Sequence, residues 1–131
     1  MISVDTSVVV RYLVGTPQPM ARRAAGIIDG QGAVGVPLVV LLESAHVLRT
    51  QYGVDRPDVL DAMIELVTRK NIEVLGVPGP VVIEALARAR SIQGAPLPDA
   101  LVAATARAFD ALPLYSFDKE IGRHGVPMSE P

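Results

Sequence analysis

The sequence predicts an α/β fold: a three-layer α/β/α sandwich with a central parallel sheet of four to five strands. Three observations predict it. Short runs of apolar and β-branched residues recur along the chain, each bounded by turn residues. Longer segments between them carry apolar residues at helical spacing. The resulting order is strand, helices, strand, helices, strand, helices, strand. Crossovers of that kind place strands parallel and cover both faces of the sheet with helices.

Each element follows from local chemistry. Ile2-Ser3-Val4 is a strand that stops at Asp5-Thr6-Ser7, a cluster of favourable N-caps. Ser7 to Val14 is a short helix halted by Gly15-Thr16-Pro17. Pro19 to Asp29 places Met20, Ala24 and Ile27/Ile28 at helical spacing and ends at Gly30. Ala33 to Val36 is the second strand. Pro37 stands where a helix begins, so Leu38 to Tyr52 is helical and closes at Gly53. Asp55-Arg56-Pro57 opens a helix to Arg69, and Ile72 to Leu75 is the third strand. Val81 to Ile92 and Pro98 to Phe109 are helices. Leu112 to Phe117 is the fourth strand, Asp118 starts a helical turn, and Val126 with its neighbours forms a marginal fifth strand.

Composition excludes several classes. A length of 131 residues suits a single domain spanning residues 1–131. With 50% hydrophobic and 20% charged residues, the chain buries enough surface to offset its ordering entropy and is not disordered. The longest apolar run, Val36 to Leu42, is about a third of the roughly 20 residues a membrane span needs. The opening segment has no basic leader and carries Asp5 early, so no signal peptide is expected. Cysteine is absent, which removes disulfides and thiolate metal sites and makes a cytoplasmic location the default. The net charge of -2 gives no global basic field for non-specific nucleic-acid binding. Three Tyr and two Phe, with no Trp, offer few stacking surfaces, so any nucleic-acid function must rest on a specific site.

Ligands of parallel sheets sit outside the C-terminal strand ends, where Asp5 and Asp118 lie. Both acids also serve as helix caps, and Asp99 after Pro98 suits a helix start for purely structural reasons. Glu43 has Val39, Val40 and Val47 among its helical neighbours, with His46 beside it. A lone carboxylate on an apolar stripe is costly unless paired with His46 or an Arg, or bound to metal. His46 and His124 are far apart and in no zinc pattern, with His124 in a polar turn. No phosphate-cradling glycine loop and no nucleophile elbow occurs. Arg22-Arg23 and Arg88/Arg90 are expected to be solvated helix faces. Asp5, Glu43, Asp99 and Asp118 are thus the group of interest. Gathered at one end of the sheet they repel one another, and a divalent cation relieves that repulsion. Oxygen-only ligation selects Mg²⁺, or Mn²⁺, over zinc.

Four segments in order carry a resemblance: Val4 to Ser7, Leu41 to Leu48, Pro98 to Ala106, and Tyr115 to Lys119. Through them the chain resembles PIN-domain ribonucleases, and in particular VapC-type toxins of toxin–antitoxin modules, over nearly its whole length. The resemblance implies a PIN-like fold and metal-dependent hydrolysis of RNA. It implies metal-binding and catalytic roles for Asp5, Glu43, Asp99 and Asp118, with Ser7 and Ser116 as hydrogen-bonding supports. Many relatives carry Asn where this chain has Ser7. Glu43 either ligates through water or accepts a proton from the attacking water. Four ionised carboxylates with one Mg²⁺ still repel phosphate, so a second metal arrives, one acid stays protonated, or Arg11 or Arg49 compensates. The implied partners are structured RNA such as tRNA or ribosomal RNA loops, a cognate antitoxin, and a second copy in a homodimer. Apolar material for an interface is expected at Val59-Leu60, Met63 and Val81-Val82. Two other readings compete. One is a catalytically inactive PIN-like binding module. The other is a receiver-like signalling domain, disfavoured because the third strand runs into Gly76-Val77-Pro78 without an Asp.

Overall fold

The computed structural model describes residues 1–131 and is of the α/β class, with every strand pairing parallel. Its contacts divide into two compact units, Met1–Pro78 and Gly79–Pro131.

The first unit is built from β1 (Ile2–Ser3), α1 (Thr6–Val14), α2 (Gln18–Ile28), β2 (Val34–Pro37), α3 (Leu38–Thr50), α4 (Arg56–Val67) and β3 (Ile72–Leu75). The strands form one sheet in the order β1-β2-β3, with Ile2 opposite Val34 and Val34 opposite Ile72. Burial along each strand follows its place in the sheet. Val34, Gly35 and Val36 of central β2 are all buried, as both faces are covered. Edge strand β3 alternates, burying Ile72 and Val74 and exposing Glu73. The core gathers Val9 and Val10 of α1, Ile28 of α2, Leu41 and Leu48 of α3, and Val59, Leu60, Met63 and Leu66 of α4. Asp5 caps α1, and Gly15 ends it in the left-handed conformation at φ 79°, a backbone that glycine adopts without steric cost.

The second unit comprises α5 (Gly79–Ser91), α6 (Leu97–Ala108), β4 (Leu114–Tyr115), a 3₁₀ helix (Lys119–His124) and β5 (Met128–Ser129). Its core is rich in alanine: Ala85 and Ala89 of α5 and Ala100, Ala103 and Ala104 of α6 are buried with Leu86 and Leu101. β4 and β5 pair with each other, Leu114 opposite Met128.

Four expectations need correction. The single sheet of four to five strands is instead a three-stranded sheet and a separate two-stranded pair. The fourth strand shrinks to Leu114–Tyr115, and the fifth lies at Met128–Ser129 because Val126 turns into the core. Val59, Leu60, Met63, Val81 and Val82 are buried, so they are core and not interface. His124 is 1% exposed and closes the 3₁₀ helix from inside, not from a polar turn.

Candidate active site

The N-terminus of α1 and the outer stripe of α3 line one pocket in the first unit. Asp5, Thr6, Ser7, Val10 and Arg11 line one wall, and Glu43, Val47, Gln51 and Tyr52 the other. Helical periodicity explains both walls: Ser7, Val10 and Arg11 share one face of α1, while Glu43, Val47 and Gln51 follow a four-residue ladder along α3. The cavity is about 390 Å³.

Asp5 is exposed and its carboxylate is organised by its own helix. Ser7 Oγ donates to Asp5 Oδ1 at 2.6 Å, and the Val8 N–H donates to the same oxygen at 3.3 Å. The Ser7 bond, then the Val8 bond, hold the Asp5 carboxyl below the usual carboxylate range. Ser7, expected as a support, thus acts directly on Asp5. Glu43 is exposed, and Val39 of the same stripe is 68% exposed. The desolvation argument for Glu43 therefore fails: α3 buries Val40, Leu41, Ser44 and Leu48 and turns Glu43 outward. Arg11 is held by Tyr52 across 41 residues of sequence, Nη1 donating to Tyr52 Oη at 2.7 Å. Arg49, the other suggested cation, is exposed and outside this pocket.

The second unit holds the other two acids. Asp99 is half-buried in the first turn of α6, and its negative charge acts on His124. Asp118 is exposed and caps the 3₁₀ helix, accepting the Glu120 N–H at 2.9 Å. Ser116 braces the backbone at Asp118: the Asp118 N–H donates to Ser116 Oγ at 2.9 Å. It therefore supports the chain path and not the carboxylate. Tyr115 and Phe117, which flank it, are 63% and 79% exposed, so two of the few aromatics stand at the surface beside Asp118.

Within neither unit do three or more His, Asp or Glu side chains gather into a metal-binding group. A pair of carboxylates still fits Mg²⁺, which keeps several waters and is usually held by one or two carboxylates together with substrate phosphate. The Asp5–Glu43 pocket has that donor chemistry: two carboxylates supply oxygen ligands, and the Ser7 Oγ and Val8 N–H bonds to Asp5 both fall on Oδ1. A larger cavity of about 490 Å³ near α2 and α4 lacks it, because its Asp29 is already bound by Arg69 and by the Tyr12 hydroxyl.

Of the residues lining this pocket, the sequence singled out Asp5, Ser7, Arg11 and Glu43 but not Gln51 or Tyr52. The ladder Glu43–Val47–Gln51 was the available signal. The Arg11–Tyr52 bond had none, since it depends on how α1 packs on α3.

No helix of the protein is long and apolar enough to cross a membrane. No curated protein matches the chain. The PIN domain family matches residues 2–126, a span that takes in both units, and the parallel strands between helices fit that family's three-layer α/β/α fold. PIN domains are commonly nucleases that act on nucleic acid with divalent metal ions, and the receiver-like alternative loses its footing. With the family matched over nearly its whole length, the chain belongs to the PIN-domain family.

Proposed function

We propose that this protein is a Mg²⁺-dependent endoribonuclease, with Mn²⁺ as a substitute, and the toxin of a type II toxin–antitoxin pair. The observation that carries the reading is the pocket shared by Asp5 and Glu43, in which Ser7 hydrogen-bonds the Asp5 carboxylate and favours its charged form. Asp5 and Glu43 are the residues that would hold the cation; the family resemblance gives Asp99 and Asp118 the same metal-binding and catalytic role, and the chain is read as one PIN-like domain over residues 1–131. When bound, the cation lowers the pKa of water and offsets charge on the phosphate oxygens. The chain's own groups do the rest. Asp5 is ionised at neutral pH before any ligand arrives, and the Ser7 and Val8 hydrogen bonds favour its charged form further and fix Oδ1 in place. Glu43, exposed to water, accepts the proton of the attacking water or ligates through water. Ser116 fixes the backbone that presents Asp118.

The substrate in this reading is structured RNA, such as a tRNA or ribosomal RNA loop. The protein partners are a cognate antitoxin and a second copy of the chain, acting in the cytoplasm. Asp5→Asn is the discriminating variant. Asn caps helices as well as Asp does, so the fold survives while the ionised oxygen is lost. Incubation with RNA and Mg²⁺ should give cleavage by the wild-type protein, none after chelation, and none by Asp5→Asn. Cleavage at the wild-type rate by that variant would refute the assignment. RNA binding without Mg²⁺-dependent cleavage by the wild type would favour the inactive binding module.

A further inference from the structure

Arg11 shares its pocket with two carboxylates, yet it hydrogen-bonds a neutral phenol, Tyr52 Oη. The guanidinium forms no ion pair with Asp5 or Glu43. Its Nε is withdrawn from solvent without an acceptor among the protein's own groups. With Nη1 engaged by Tyr52 and Nε enclosed, Nη2 is the donor left for an incoming ligand. A charge-assisted bond from Nη2 suits one free oxygen of a phosphodiester.

Charge points the same way. Asp5 and Glu43 bring two negative charges to the pocket and Arg11 one positive. A divalent cation tips the balance to a single positive charge, the complement of one phosphodiester. Arg11 also lines an adjoining groove with Ser7, Val8, Met20, Arg23, Ala24 and Ile27. Arg23 is exposed there, and Met20 and Ile27 are 45% and 40% exposed, so the groove offers a second cation beside apolar surface.

Building on the nuclease reading above, we propose that Arg11, pinned by Tyr52, positions the RNA phosphate at the Asp5–Glu43 pocket, and that the strand continues along the adjoining groove past Arg23. Tyr52 is a positioning residue that acts through Arg11. The ligand is a nucleic-acid backbone, recognised by its phosphates. Its bases meet Met20 and Ile27.

The test measures binding apart from cleavage. A fluorescently labelled single-stranded RNA of about ten nucleotides is titrated with wild-type protein, Arg11→Gln, Arg11→Lys, Arg23→Gln and Tyr52→Phe, at several monovalent salt concentrations and one fixed Ca²⁺ concentration, so that the pocket carries a dication while binding is read. Loss of one phosphate contact lowers the salt slope by about 0.7 for a single strand, so Arg11→Gln and Arg23→Gln should each show that change with affinity down about tenfold. Arg11→Lys should recover the slope but only part of the affinity, as it keeps the charge and loses the guanidinium that Tyr52 pins. Tyr52→Phe should weaken binding severalfold at an unchanged slope, because the charge remains and only its orientation is loosened. Thermal melts establish folding. Should Arg11→Gln unfold, Arg11→Lys and Tyr52→Phe carry the test. Wild-type binding that Arg11→Gln and Tyr52→Phe leave unaltered overturns the inference, as does a wild-type protein that binds no RNA. Binding that depends on Arg11 without Mg²⁺-dependent cleavage would uphold the inference and remove the nuclease reading instead.

Discussion

Ser44 sits one residue beyond Glu43 on α3, fully enclosed, with a hydroxyl that meets no partner. An unsatisfied buried hydroxyl costs about 1–3 kcal/mol, and Ala is also the better helix former. Ser44→Ala should therefore raise stability by about 1 kcal/mol, read as a higher urea midpoint at an unchanged slope. A lower midpoint would mean that Ser44 has a partner in solution. The neighbouring pair shows what single residues disclose. Glu43 stood out because a charge interrupts an apolar run, and that run misled: Val39 is exposed while Ser44 is enclosed. The inward stripe of a helix flanked by apolar residues on every side is chosen by its neighbours in space. Local composition left both stripes open.

Helix α1 shows one residue serving two purposes. Asp5 caps α1 through Val8 and also supplies the ionised oxygen of the pocket. Removing the cap should cost about 1 kcal/mol, so Asp5→Ala should lower stability by that amount while Asp5→Asn stays close to wild type. Chemical denaturation of both variants distinguishes the purposes: equal stability of the two would show that the cap contributes nothing. Elements with strong punctuation were legible in this way. Gly15 ends α1, Pro57 opens α4, and β3 falls at Ile72–Leu75 as the sequence indicates. β4 and β5 were less so. Each is two residues long, and a two-residue strand is defined by its partner, here fourteen residues away, more than by its own propensity.

Stability of the whole chain should depend on pH through two groups with the same sign. His124 is enclosed in the second unit, and its Nδ1 has no hydrogen-bond partner. Burial depresses its pKa first. Asp99 opposes this, while Arg88, Arg123 and Arg107 add to it. A histidine whose folded pKa lies below its unfolded value binds fewer protons when folded, so its stabilisation is intact above about pH 6.5 and falls as the pH drops below that value. The loss approaches about 1.4 kcal/mol per pH unit until the folded pKa is reached. Asp5 acts further down the scale: its depressed carboxyl favours folding above about pH 3.9, and that contribution disappears as pH falls through its lower folded value. His124 therefore sets the first acid sensitivity and Asp5 the second. Thermal melts in metal-free buffer at pH 7.5, 6.5 and 5.5 should show Tm falling for the wild type and falling less for His124→Gln. The glutamine amide fills much of the imidazole's place without a titrating proton, so the variant costs some stability at pH 7.5 but flattens the acid limb. An identical decline in both proteins would mean that His124 is protonated as readily folded as unfolded, and that neither its burial nor the arginines around it hold it neutral.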